Sequence, residues 1–563
     1  MTLLLVLAAM FFPLFANSWF NWLELRFGVL AHKTKTCVLI SGLSVLLIRG
    51  VLSPLLPVRV PQVHDEFSYL LAAQTFLAGR LTNPPHPMWI HFESLHIIQQ
   101  PTYMSMYPPA QGLTLAMGML LGGGAWLGVG LSIAFMCAAI CWMLQGWFPP
   151  EWALWGVSIV IMRLAVFNYW ANTYWGGAVA AAAGALVLGA LPRIIRTPRI
   201  GYTLLLGLGV VLLANSRPYE GLILCIPCGI VLMAWMVRDQ RWRNPLYLRT
   251  FVLPLFLVLA ISGLMMGYYF WRVTGSPWRM PYSVNQATYA TTNPFFWQHL
   301  RPRHVYRHKV MRDYYERWEL ASYTRLASYR NRLKEVAAKM RDLWQFFLGP
   351  VLSVPLVMLP AAVYDRHGRF LIATCAVMLA GLAPVFWLTV PHYAAPMTAA
   401  VYGVVVLCAR YLRGGRWRSR PSGRFLVRAV PLMCFAGLVL RAAAPSFFEM
   451  DYGSYSWCCV GPGNVERARI ERDLKATGVP NLVVVRYGPD HRVGDEWVYN
   501  DANIDASPVV WAREMTPSED RRLAAYFNHR QIWLLEPDLL PPRLTRWEPA
   551  TTELEQTSNQ RNK

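Results

Sequence analysis

The stretch Val63-His64-Asp65-Glu66-Phe67-Ser68-Tyr69 follows an apolar run, residues 37–56, long enough to cross about 30 Å of hydrocarbon. Two adjacent carboxylates therefore stand where hydrocarbon gives way to water. Charges are costly at that boundary, so acids kept there mark a functional site by default. They open a polar loop that runs from about residue 57 to 106. On either side of this loop the chain reads as a scaffold of apolar runs that holds it over one membrane face.

Of the 563 residues, 55% are hydrophobic and only 15% are charged, which is more apolar than a soluble surface can use. Runs of about 18 or more apolar residues recur along most of the length, and apolar segments number about 12–13 in all. The predicted fold is mainly α, a polytopic transmembrane helical bundle over residues 1–445. Much of the net charge of +22 lies in loops between the runs. That placement suits anionic lipid headgroups, a lipid-phosphate substrate and cytoplasmic positive loops, and it argues against nucleic acid as a partner. Cys37, Cys137, Cys141, Cys225, Cys228, Cys375, Cys408 and Cys434 fall in apolar runs and read as small buried hydrophobes. Cys225-x-x-Cys228 has no second pair, so a zinc or redox site is not expected there. Cys458 and Cys459 are adjacent in a polar region, and the sequence gives them no role.

Spans are predicted at 2–20, 37–56, 107–122, 126–145, 152–168, 175–191, 202–215, 219–237, 250–270, 346–363, 370–389, 393–411 and 425–443. Basic clusters such as Arg193/Arg196/Arg199 and Arg413/Arg416/Arg418/Arg420 mark every second connection as cytoplasmic, which puts Asp65 and Glu66 outside. Counts from the two ends disagree by one crossing between 107 and 167, so one of those runs is not a full span. In the first outer loop, Phe67 to Leu77 has helical spacing and Gly79 stops it, the pattern of a short amphipathic helix on the membrane surface. Also outside fall Asn168–Gly177, Ser216–Glu220, a basic loop at 271–345, His392-Tyr393 and everything after about 444. Residues 446–550 read as a small extracytoplasmic α/β domain, with a helix at 464–477 and strands at 482–487 and 532–535, and the tail 551–563 reads as disordered.

The acidic pair followed by x-x-Tyr69, in a helix ending at Gly79, resembles the first outer loop of the GT-C superfamily of membrane glycosyltransferases. The nearest branch is that of the protein O-mannosyltransferases and lipid A aminoarabinose transferases. Tyr107-Pro108-Pro109-x-x-Gly112, opening a span, is similar to the Tyr/Lys-Pro-Pro-Gly segment of that branch. The resemblance covers roughly residues 37–410. It implies a sugar donor carried on a polyprenyl phosphate and an acceptor outside the membrane, whether glycan, lipid or protein. Asp65 resembles the catalytic acid, with Glu66 beside it as a second catalytic candidate. Tyr69 and Tyr107 belong to the same motifs and become candidates for substrate contact. The family often carries a second aspartate in its second outer loop; this chain offers Asn168 and Asn172 there, and Asn172 is the contact candidate.

Other residues are read from their chemistry. A carboxylate such as Asp65 can take a proton from an acceptor as it attacks a sugar carbon. Glu93-x-x-His96 is a candidate for a divalent metal, for substrate contact or for plain loop packing; no cofactor is otherwise implied. Arg217 either binds a phosphate bidentately or pairs with Glu220. His392 and Tyr393 either touch the lipid phosphate or anchor a span at the interface. The basic loop either gathers anions at long range or is merely solvated. Together these predict a glycosyltransferase with its site on the outer face of a bacterial inner membrane. The alternative is a transporter, flippase or assembly factor for envelope glycans, which an inverted repeat would favour.

Overall fold

The computed structural model describes residues 2–54, 58–386, 390–443 and 461–547; Cys458, Cys459 and the tail 551–563 lie outside them. The chain is an integral, multi-pass membrane protein. Among the described residues seven helices are long and apolar enough to cross a bilayer, or eight if a pair of helices bent by 94° is counted as one span. Helices dominate because each satisfies its own backbone hydrogen bonds where no water is available.

Helices Gly124–Trp147 and Ala178–Arg196 form the centre. The second is buried on all sides because Ala178 to Ala185 are nearly all alanine, so neighbouring backbones approach closely. A Cβ at Gly184 would meet the Pro396 carbonyl at 2.0 Å, and one at Gly189 would meet the Trp142 ring at 2.5 Å. Pro245–Thr274, by contrast, has only 6% of its apolar window buried and presents Phe256, Leu264 and Met265 outward. It is a lipid-facing helix.

The run at 2–20, expected to be one span, is two helices, Thr2–Phe11 and Asn17–Ala31. Pro13 lies in the break, where it cannot donate to a helical ladder. The mismatch between 107 and 167 resolves at Pro109–Leu120. Its 12 residues rise only about 18 Å, too little to cross. The chain turns back at Leu121–Gly123, with Gly118 against the backbone of Gly128, and descends as Gly124–Trp147. With that run withdrawn from the predicted crossings, the counts from the two ends of the sequence agree.

The span expected at 346–363 is the second limb of the bent pair, Tyr329–Phe347 with Gly349–Tyr364. Gly349 takes φ 60° at the bend, and Arg163 donates through Nε to the Phe346 carbonyl at 3.1 Å. A cation thus meets the unpaired carbonyls at a helix end. The basic stretch 271–345 is largely helical, with Pro281–Tyr289 as its first helix and Tyr329–Phe347 as its last.

On the Asp65 face stand two short strands, β1 (Ile97–Ile98) and β2 (Met104–Ser105), paired antiparallel. A small α/β unit covers them. Its sheet contains β3 (Asn481–Val485), β4 (Val509–Arg513), β5 (Gln531–Glu536) and β6 (Arg543–Arg546) in the order β4-β3-β5-β6. β3 runs parallel to both neighbours, and β6 is antiparallel. Asn481-Leu-Val-Val-Val485 is buried along its whole length, as a central parallel strand with both faces covered must be. The expected helix is Val465–Ala476, and both expected strands form.

The helix that begins the first loop is His64–Leu77, three residues earlier than its apolar spacing indicates. One side is covered by the α/β unit, through Phe67 stacked on Tyr499 at 4.6 Å and Gln74 donating to Asp501 at 2.7 Å. The other meets Pro109–Leu120, where a Cβ at Gly112 would come within 2.7 Å of that of Ala72. An amphipathic pattern needs an apolar partner, and here folded protein supplies it instead of lipid.

Candidate active site

Asp65 and Glu66 both fall in the first turn of His64–Leu77, where the helix dipole favours negative charge. They point in opposite directions. Glu66 is fully buried and ion-paired with Arg59. It also accepts from the backbone N–H of Gln62 at 3.0 Å and of Tyr174 at 3.4 Å. Its carboxylate caps the helix and ties the Asn168–Gly177 loop to the first loop. Glu66 is therefore a structural residue, contrary to the expectation of a second catalytic acid.

Asp65 faces a cavity of about 670 Å³. Its Oδ1 accepts from the Tyr107 hydroxyl and lies 3.2 Å from His96 Nδ1. His96 Nδ1 is also 2.8 Å from the Tyr107 oxygen; with the phenol donating to Asp65, the imidazole donates to the phenol. Among the described residues the nearest partner of Oδ2 is His64 Nε2, at 3.6 Å. Burial opposes ionisation of Asp65, but His96 and then His64 outweigh it and hold the carboxyl well below its ordinary value near 3.8. His64 is itself pushed down to about 4, first by burial and then by His96. Burial and Asp65 push the Tyr107 phenol up, so it remains a donor. The result is a carboxylate kept ionised, with one oxygen fixed and one facing the cavity.

His96 reaches this place from a strained backbone, φ 63°. Its carbonyl accepts from Ser68 Oγ at 2.7 Å and from the Met106 N–H at 3.2 Å, and these bonds hold the turn. Tyr69 stacks on Tyr107 at 4.5 Å and fixes the phenol from below.

Arg217 lines the same cavity, with its guanidinium 4.6 Å from the centre of the Tyr393 ring. Burial works against its charge, but Tyr69 and Glu220 favour it and the net shift is upward. Glu220 also lines the cavity, yet no carboxylate among the described residues stands within ion-pair distance of Arg217. A second cation, Arg492, comes from the α/β unit. Most of the remaining wall is apolar, including Phe270, Met266, Phe295, Trp318 and Val385. The geometry pairs a base and a fixed cation with a hydrophobic trough.

Of the residues expected from the sequence, Asp65, Tyr69, His96, Tyr107, Arg217, Glu220 and Tyr393 meet in this cavity. His392 lies behind Tyr393, its Nδ1 bonded to the Tyr169 hydroxyl at 3.0 Å, and it does not line the cavity. Asn172 is turned into its own loop and donates to the carbonyls of Val166 and Asn168, at 2.7 and 2.9 Å. It does not line the Asp65 cavity. Glu93 and His96 do not share a helical face: the helix Trp89–Phe92 ends before Glu93, and the two side chains line different cavities. Of the three readings open for this pair, a shared metal has no support among the described residues. His64, Asp65 and His96 instead offer ligand atoms all within 4.8 Å of one another, the three-ligand set that a catalytic zinc takes with one position open. The arginines of the 271–345 stretch also stay out of the cavity, which receives Tyr282, Gln286, Tyr314 and Trp318 from it.

His64, Gln286, Tyr314 and Arg492 are the residues that sequence reasoning missed. His64 adjoins Asp65, and that adjacency was a usable signal. The other three lie far away in the chain and carried none.

No family model and no curated protein matches the chain. Similar solved structures include ArnT from Cupriavidus metallidurans bound to undecaprenyl phosphate, at 13% identity over 88% of this chain and 92% of that one, TM-score 0.45. They also include the archaeal oligosaccharyltransferase AglB from Archaeoglobus fulgidus in complex with an inhibitory peptide and a dolichol-phosphate, at 12% identity over 88% and 69%, TM-score 0.41. Both are GT-C glycosyltransferases. Likenesses of this extent carry no argument about the chemistry of this chain, which rests on its own residues.

Proposed function

We propose that the protein is an integral-membrane glycosyltransferase that moves a sugar from a polyprenyl-phosphate donor to an acceptor outside the membrane. The observation that carries this reading is one cavity holding an ionised Asp65, a charged Arg217 and a long apolar wall. The apolar trough suits a prenyl chain, the cations suit its phosphate, and the carboxylate suits the acceptor hydroxyl. The arginine clusters in alternate connections support a cavity on the outer side, by the positive-inside rule. With a bacterial source this is the periplasmic face of the inner membrane.

The step is a single displacement. The acceptor oxygen attacks the anomeric carbon while its proton passes to Asp65 Oδ2. The bond from that carbon to the phosphate oxygen breaks, and polyprenyl phosphate leaves with the electron pair. Arg217 and Arg492 stabilise the charge that develops on it, so the leaving group needs no proton. His96 is the main group that keeps Asp65 ionised between turnovers. A divalent metal held by His64, Asp65 and His96 would supply Lewis-acid stabilisation of the phosphate.

The test is incorporation of radiolabelled sugar from polyprenyl-phosphate donors into membrane acceptors, with wild-type protein and with Asp65→Asn. Transfer by the first and not the second is expected. Equal transfer by both would remove Asp65 from the mechanism; lipid translocation without transfer would favour a flippase.

A further inference from the structure

Helix Pro281–Tyr289 is a wall shared by two cavities. Gln286 faces the Asp65 cavity, and Asn285, Thr288 and Tyr289 face a second one of about 230 Å³. The strand region behaves likewise, with His96 turned to Asp65 and Gln99 to the second space. That space has more than ten times the ~10–15 Å³ that one water needs.

Its lining is chemically specific. Glu93 is buried, accepts from the Tyr289 hydroxyl at 2.9 Å and is paired with Arg307 at 3.3 Å. The charges cancel, which argues against a cationic or anionic ligand. Gln99 is 2% exposed and donates to the Phe92 carbonyl at 2.6 Å, yet its Oε1 is buried without a partner. A buried acceptor left unbonded is costly unless a ligand fills it. Trp89 adds an aromatic wall, with Arg307 over its ring at 4.8 Å. The mouth opens beside Val305, which is 98% exposed.

A neutral wall that offers donors, acceptors and an aromatic face together fits a ligand whose groups each donate and accept, which is what hydroxyls do. We propose that this pocket binds a neutral sugar residue of the acceptor, one wall away from the reacting centre. Its part in transfer rests on the function proposed above; its binding of a sugar does not. Glu93 and Gln99 would bond to ring hydroxyls, and Trp89 would cover the apolar face of the ring. The donor's sugar belongs at Asp65, so the pocket serves a different residue.

The experiment measures binding of methyl glycosides of glucose, galactose and mannose to the purified full-length protein in detergent, by saturation-transfer NMR and calorimetry. Saturable binding of at least one glycoside is expected. Glu93→Gln should weaken it about tenfold or more, the loss of a charge-assisted hydrogen bond. Thr288→Phe, a plug placed on an exposed turn of the helix, should abolish it. Asp65→Asn should leave it unchanged. No saturable binding by the wild type, or binding undisturbed in both pocket variants, overturns the proposal. Sugar binding with no transfer from any polyprenyl donor upholds the pocket and sinks only the transfer reaction.

Discussion

Asp65 and Glu66 are neighbours in the chain and opposites in the structure. One looks into a cavity beside two imidazoles and a phenol; the other is sealed against a guanidinium and two backbone amides. A helical turn separates adjacent side chains by about 100°, enough to send identical chemistry to different work. The lesson is that a carboxylate's role is set by what can leave or reach its oxygens. Glu66 has every oxygen engaged, whereas Asp65 keeps Oδ2 open.

Substitutions can break or sharpen this contrast. Asp65→Asn removes the base and keeps the shape, so turnover should fall by about 10²–10⁴-fold while the thermal midpoint holds. An unstable Asp65→Asn protein would erase the distinction between the two acids. Arg217→Gln should cost about 10²–10³-fold in kcat, the scale of one lost electrostatic contact to the developing charge. Losing only donor affinity, with kcat intact, would make Arg217 a docking residue. Glu66→Gln removes the buried carboxylate that pairs with Arg59 and should destabilise the protein by about 3–5 kcal/mol. Denaturation in detergent reads this directly, and the surviving folded fraction should turn over at nearly the wild-type rate.

His96→Asn tests the electrostatics more gently. The neighbouring imidazole is what mainly holds the Asp65 carboxyl down against burial. Its removal raises that carboxyl, so the base protonates earlier on acidification and the acid limb of kcat/KM moves to higher pH. A limb that stays in place would show that Tyr107 and His64 suffice. The smallest effect belongs to Asn172→Ala: its amide bonds only within its own loop, and transfer should change by less than about threefold.

Composition made the membrane scaffold plain, because hydrocarbon allows few alternatives to long apolar helices. Asp65 and Arg217 stood out in the sequence because charges at the ends of apolar runs are costly, and Tyr107 because of its motif; the structure brings all three into one cavity. Glu66 was misread because an ion pair with Arg59 leaves no trace in spacing. Asn172 was misread because a polar loop residue can spend its hydrogen bonds locally. Gln286, Tyr314 and Arg492 were invisible, since only tertiary packing brings segments more than two hundred residues away to Asp65. The short run at 107–122 was detectable as a topological contradiction, but only the turn at Leu121–Gly123 located it.

One consequence follows from Arg492, Val493 and Gly494 forming part of the cavity wall. During synthesis the membrane helices are made first and this wall last. Until the sheet has emerged and folded, the trough stands open on one side and lacks a cation. The cavity is thus completed by a part of the chain made after the helices that form its floor.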